Sequence, residues 1–260
     1  MAVLQRLKFW NRPAQSLQAF DAPLRPYQPM VVVGDVHGAL PLLKRLLPAI
    51  DKSVENFPPE EVKLVFVGDL VDRGEDSAGA LEFVRNLETE FSEQVICLLG
   101  NHEKMMLDFI DNPEERGPRW LKYGGLQTLA SYGIGSVNEN APAARLEDAR
   151  DKLLEQLPAG SVEWLRARPL MWQNGNVVVV HAGANPNAPI DEQRQRHLIW
   201  GHRDFFNEMR KDGIWVAHGH TVVDAPTAAF GRINTDTGAC FTGRLTAATI
   251  LTDEIRFIST

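Results

Sequence analysis

At 260 residues, 44% hydrophobic and with two cysteines, the chain is long enough to bury a real core, which excludes a small disulfide scaffold. A net charge of −7 argues against a broad nucleic-acid-binding face, because affinity for a phosphate backbone needs clustered Lys and Arg. No apolar run approaches the ~20 residues of a membrane-spanning helix.

Residues 1–28, with Pro13, Pro23 and Pro26, read as an arm ahead of a main domain over 29–260. Leu4, Leu7 and Trp10 lie on one helical face, expected to pack on the domain itself or a partner chain, with a short lipid-surface anchor as the alternative. This stretch lacks the unbroken apolar core of a signal peptide, so a cytoplasmic location is expected, with Cys97 and Cys240 as buried thiols.

From Met30 onward, short β-branched runs alternate with helical periodicity: "MVVVGD", "LPLLKRLLPAI", "VKLVFVGD", "SAGALEFVRNLETEF", "QVICLLGN", "EKMMLDFI". That alternation predicts an α/β domain with a largely parallel first sheet, its strands apolar on both sides as if helices covered both faces. Residues 113–169 carry helical patches and no strong strand, and read as a helical insertion. Asn174-Gly175 predicts a hairpin turn, and the remaining third predicts a second, mixed or antiparallel sheet.

Each of the first three strands ends in a polar cluster: "GDVHG" (34–38), "GDLVDRG" (68–74) and "GNHE" (100–103). Carboxyl ends of strands in an open α/β sheet share one edge, where ligands bind. Asp35, His37, Asp69, Asp72, Arg73, Asn101 and His102 are therefore expected to converge. "VVVVHAG" adds His181 to that edge, and "VAHGHT" adds His218 or His220. Carboxylates, an amide oxygen and imidazoles without a thiolate suit Mn²⁺, Fe or Zn²⁺ in an open catalytic site. The set exceeds the needs of one ion and implies two, about 3.5–4 Å apart. Taken singly, His37 or His181 reads as a hydrogen-bonded strand-end histidine; five such motifs in series point to a site.

These motifs, in this order and over roughly Met30 to Leu251, resemble the phosphoprotein phosphatase superfamily of binuclear metallophosphatases. That superfamily includes bacterial and phage serine/threonine phosphatases and diadenosine tetraphosphatases. The resemblance implies a central β-sandwich flanked by helices. It assigns Asp35, His37 and Asp69 to a first metal, and Asp69, Asn101, His181 and His220 to a second, with Asp69 bridging. Mn²⁺ is the first expectation for both ions. A metal-bridged hydroxide would attack directly, His102 would act as general acid oriented by Asp72, and Arg73 would grip the phosphate. A structural Asp72–Arg73 ion pair is the alternative reading of those two residues.

The family's second arginine, expected as Ile-Trp-x-Arg, is displaced here, since the chain reads "LIWGHRDFF". Arg203 is the expected second clamp and His202 its substitute. His220 is preferred to His218 as the ligand because Gly219-His220-Thr221 and "TDTG" fit the pattern. His197 and His202 read as surface or rim residues, Met105 and Met106 as core. Trp120, Tyr123 and Gly124-Gly125 are expected to shape the cap near the cleft. The expected activity is a metal-dependent phosphatase acting on phosphoserine or phosphothreonine of proteins. A dinucleoside polyphosphate hydrolase is the alternative, and an inactive phosphoprotein-binding scaffold comes third. A basic, aromatic surface around 113–169 would favour the dinucleotide.

Overall fold

The computed structural model describes residues 20–260. The amphipathic face of Leu4, Leu7 and Trp10 and most of the expected arm lie outside the described residues. Residues 20–28 dock on the domain: Asn174 Nδ2 donates to Gln28 O (2.9 Å), Asn176 Nδ2 to Pro23 O (2.8 Å), and Leu24 is buried.

Strands β1 (Met30–Val33), β2 (Lys63–Phe66) and β3 (Val95–Cys97) alternate with helices α1 (Leu40–Ser53) and α2 (Ser77–Glu90). Helices α3 (Asn101–Asp111), α4 (Pro113–Trp120), α5 (Leu126–Ser131), α6 (Ala143–Gln156) and α7 (Ser161–Arg166) follow with no strand between them. Then come β4 (Met171–Asn174), β5 (Val177–Val180), α8 (Gln195–Trp200), β6 (Trp215–His218), β7 (Thr227–Ala229) and β8 (Arg232–Asn234). Helix α9 (Ala239–Thr242), β9 (Thr246–Leu251) and β10 (Glu254–Ser259) close the chain.

The strands form two five-stranded sheets, ordered β10-β9-β1-β2-β3 and β4-β5-β6-β8-β7. β1, β2 and β3 are parallel, and β9 and β10 extend that sheet antiparallel. In the second sheet β5, β6 and β8 are parallel, with antiparallel edges at β4 and β7. The hairpin turn falls on Gly175-Asn176, one residue beyond the expected pair, because Asn174 pairs with Val177 inside the ladder. Cys240 is half-buried, and only Cys97 is a fully buried thiol.

The first sheet is apolar on both faces for a reason the sequence pattern misassigns. Val31, Val33 and Phe66 pack under helices with Leu43, Leu46 and Leu81. Met30, Val32, Val65 and Val67 face Val177, Val179, Ala217 and Ile233 of the second sheet, so a sheet rather than a second helical layer covers that side. A strand buried by a sheet is as apolar as one buried by a helix, and periodicity alone cannot separate them. The outer face of the second sheet, Val178, Val180 and Val216, is covered by Leu198, Ile199 and Phe205.

Leu43 is wholly buried between α1 and the first sheet. Leu43→Ala should cost about 2–5 kcal/mol, measured as a lower urea midpoint at unchanged denaturant slope.

Candidate active site

The site forms where strand ends from both sheets meet. β1 delivers Asp35 and His37, β2 delivers Asp69, and β3 leads directly into Asn101 and His102 at the start of α3. β5 delivers His181, β6 delivers His220, and β8 leads to Asp236. Hydrogen bonds stitch the sheets together at this point: His181 Nδ1 donates to Val67 O (3.0 Å), and the His220 N–H reaches both oxygens of Asp35 (3.1 Å each).

The Asp69 carboxylate is the hub. Its Oδ2 lies 3.3 Å from His181 Nε2, 3.6 Å from His37 Nε2 and 3.9 Å from His102 Nε2, while Oδ1 accepts the His102 N–H (2.9 Å). Two groups bring their ligand atoms within 4.8 Å of one another: His37, Asp69 and His102, and Asp69, His181 and His220. Asp35 is buried beside them but stands outside both groups, its carboxylate turned to the His220 N–H. His218 is also outside them. It is fully buried against the rings of Phe205 and Phe206.

The backbone is bent to make this possible. His37, Asp69, Asp72, Arg73 and His220 all adopt positive φ (44°, 53°, 73°, 67° and 63°). Each such non-glycine residue costs on the order of 1 kcal/mol or more. Gly100 and Gly219 complete the cradle, because a Cβ on either would overlap the carboxylate of Asp69 or Asp35.

The donor set fits divalent cations on its own chemistry. His37 donates Nδ1–H to Val71 O (2.7 Å), leaving an Nε2 lone pair that accepts from Arg73 Nη1 (3.1 Å). His181 faces acceptors at both nitrogens, with Asn101 Oδ1 2.9 Å from Nε2. Burial disfavours its charged form, yet Asp69 outweighs this and raises its pKa to about 10. Positive charge is therefore favoured where Asp69, Asn101 and His181 meet, and a metal ion can replace that proton. Burial, together with Asp236, pushes Asp35 well above the usual carboxylate range, a repulsion that bound cations would relieve.

Two buried carboxylates that do not belong to either group organise it. Glu103, the third residue of α3, accepts four backbone N–H bonds: Asp69 (2.8 Å) and Gly100 (3.0 Å) on Oε2, Leu70 (2.6 Å) and Val71 (3.2 Å) on Oε1. It thereby fixes the turn that carries Asp69. Asp72 accepts from His102 Nδ1 (2.6 Å), Thr128 Oγ1 (2.6 Å) and Trp120 Nε1 (3.0 Å). Trp120 is fully buried and bonded to Asp72 rather than lining the cleft, and the turn Leu121–Gly125 that follows it packs Gly124 against Asp72 and Arg73. With Asp72 so engaged, Arg73 pairs with His37 and not with Asp72. Sequence reading missed the roles of Glu103, Thr128 and Trp120. The acid at the end of "GNHE" was the available signal for the first, and nothing local marked the other two.

Arg203 does not join the cluster. Its side chain is 89% exposed and reaches its neighbour Asp204. His202 turns away as well, its ring 4.6 Å from that of His197, which is buried and not a rim residue. The tight turn at Gly201 (φ 82°) ends α8 before either residue.

Glu103→Gln replaces one acceptor oxygen with a donor facing backbone N–H groups. It should cost about 1–3 kcal/mol and loosen the Asp69 turn. The expected readout is a lower melting temperature together with reduced Mn²⁺ stoichiometry by elemental analysis.

The family model for calcineurin-like phosphoesterases matches residues 29–228. The asymmetrical bis(5'-nucleosyl)-tetraphosphatase PrpE of Bacillus velezensis is 27% identical over 236 residues, 83% of this chain and 86% of that protein. Serine/threonine-protein phosphatase 1 of Salmonella typhimurium is 28% identical over 246 residues, 92% of this chain and 99% of that protein. A solved serine/threonine phosphatase of Saccharomyces cerevisiae shares the fold with a TM-score of 0.56 at 15% identity, over 90% of this chain and 80% of that one. With its strand-end motifs gathered around one buried carboxylate and a family match spanning most of its length, the chain belongs to the calcineurin-like metallophosphoesterases.

Proposed function

We propose that the protein hydrolyses the phosphoanhydride bonds of dinucleoside polyphosphates, with diadenosine tetraphosphate as the representative substrate. Asp35, His37 and Asp69 would hold one divalent cation, and Asp69, Asn101, His181 and His220 the other, with Mn²⁺ the first choice. When bound, the two cations supply Lewis acidity, polarising the phosphoryl oxygens and lowering the pKa of water at the site.

The chain's own groups do the rest. Arg73 presents a planar fork that can bind two phosphoryl oxygens and offset charge developing on them. Asp72 accepts the Nδ1 proton of His102, so the proton available for transfer sits on Nε2. Burial disfavours the imidazolium, but Asp69 and Asp72 outweigh it and raise the pKa of His102, keeping the charged form that a general acid needs. As water adds to phosphorus and the anhydride bond breaks, Nε2 delivers this proton to the leaving oxygen.

The observation that carries the choice of substrate is the basic, aromatic rim. The guanidinium of Arg119, at the end of α4, lies 4.8 Å over the ring of Trp200. Tyr123 is 51% exposed, and the next residue, Gly124, accepts the Arg73 N–H (3.3 Å). On another side of Arg73, the 70% exposed ring of Phe241 lies 5.9 Å from its guanidinium. Flat apolar faces beside a phosphate-gripping arginine suit stacked bases. The end-to-end similarity to the Salmonella protein phosphatase supports a second reading, phosphoserine or phosphothreonine of proteins.

The deciding experiment loads purified protein with Mn²⁺. It compares nucleotide release from diadenosine tetraphosphate with phosphate release from a phosphothreonine peptide, each with a chelator control. Chelator-sensitive turnover that prefers the dinucleotide is expected. Preference for the peptide would establish the second reading, and no turnover on either would overturn both. His102→Asn should keep its metals and lose roughly 10²–10⁴ in turnover, whereas Asp69→Asn should lose metal content and activity together.

A further inference from the structure

We propose that a cavity between α8 and the 185–193 loop is a second phosphoryl-binding site, separate from the metal cluster. The cavity has a volume of about 460 Å³, within the range of small-ligand sites. Arg194, Arg196, His197 and His202 line it, against a single carboxylate, Glu192. A convergence of this kind is unusual on a chain whose net charge is −7. Among the described residues neither Arg194 nor Arg196 forms a salt bridge, whereas the nearby Arg203 and Arg210 are both paired. Two exposed, unpaired guanidiniums thus border the cavity.

His197 supplies an independent sign. Its side chain is buried, 7% exposed, and its Nδ1 has no hydrogen-bond partner. A buried polar atom without a partner costs free energy that a bound acceptor or donor recovers. Burial and the charges of His202, Arg196 and Arg194 lower its pKa, as expected where positive groups converge.

The opposite wall is already rigid. Gln193 accepts the Asn185 N–H (2.7 Å) and donates to the carbonyls of Asn185 (3.1 Å), Ala188 (3.1 Å) and Pro189 (3.0 Å). Buried Arg210 donates to Asn185 O (2.9 Å) and Ala188 O (3.1 Å). The carbonyl oxygens that would repel an anion are therefore engaged, and the loop need not order on binding. The Ala182 N–H donates to Leu198 O (2.7 Å), which ties α8, the side carrying Arg196 and His197, to the residue after His181. A phosphoryl group can come from two sources here: a phosphate of the substrate beyond the scissile one, or free inorganic phosphate.

The test uses the full-length, Mn²⁺-loaded protein and inorganic phosphate in isothermal calorimetry. Two phosphates per chain are expected for the natural protein. Arg194→Ala/Arg196→Ala should keep only the metal-site phosphate, and Arg73→Ala should keep the second, with Arg194→Lys/Arg196→Lys restoring part of it. Thermal melting checks that each variant is folded. If the occupant is a substrate phosphate, the double alanine variant raises KM for diadenosine tetraphosphate by about tenfold or more, the scale of at least one lost charge-assisted bond. KM for p-nitrophenyl phosphate, which has no further phosphate, should not follow. If the occupant is free phosphate, only the calorimetric site disappears. One phosphate per chain, unchanged in the double alanine variant and with both KM values unmoved, would overturn the proposal. The calorimetric arm does not depend on which ester is cleaved, so a failure of the dinucleotide reading is distinguishable from a failure of this one.

Discussion

The carboxylate of Asp69 must keep its charge while wholly buried, and much of the surrounding structure serves that requirement. Burial alone would drive a proton onto it. Three imidazoles around Oδ2 and a backbone N–H on Oδ1 reverse that tendency and hold it well below the ordinary carboxylate range. The arrangement has its own cost, because Asp69 sits at positive φ and Gly100 must come so close that no side chain fits there. Glu103 holds that bent turn by taking four N–H groups at once.

Strain of this kind persists only where the rest of the fold over-determines it. The sandwich does so by burying Met30, Val32, Val65, Val67, Val177 and Val179 against one another, each worth about 1.5–3 kcal/mol relative to exposure. Packing the two sheets face to face also brings six strand ends to one place. The contacts between His181 and Val67, and between His220 and Asp35, cross from one sheet to the other. The site is therefore a property of the interface between the sheets, and neither sheet alone contains it.

This explains which parts were legible in the sequence. The motif residues were readable because each closes an apolar run, so strand periodicity and local chemistry coincide in a single short segment. His37 and Asp69 needed no tertiary information beyond the rule that parallel strand ends of one sheet share an edge, whereas His181, on the second sheet, joins them only through the packing of the two sheets. The supports were not readable for the opposite reason. Trp120 and Thr128 meet Asp72 from positions far along the chain, and a tryptophan in a helical pattern looks the same whether it lines a cleft or donates to a carboxylate. His197 was hidden similarly: an amphipathic six-residue helix does not announce which of its polar residues is turned inward. The second face of the first sheet was misread because a run of valines records burial and not the identity of what buries it.

The same reasoning says where substrate preference must lie. In the proposed mechanism the metal-ligand set, the His102–Asp72 pair and Arg73 would act on the phosphorus and its oxygens, which a phosphorylated side chain and a polyphosphate share. A centre of this kind is indifferent to what the leaving oxygen is attached to, which accords with relatives named for two different substrates at nearly equal identity. Discrimination needs groups that reach beyond the phosphate, and the candidates lie on segments outside the strand ends: Arg119 and Tyr123 from the helical segment, Trp200 from α8, Phe241 from α9. Arg119 over Trp200 joins the first two of these segments, so the helical segment and α8 meet in one surface. Because that surface rests on side chains that hold neither Asp69 nor Asp72, it can change without disturbing the buried carboxylates on which the chemistry depends.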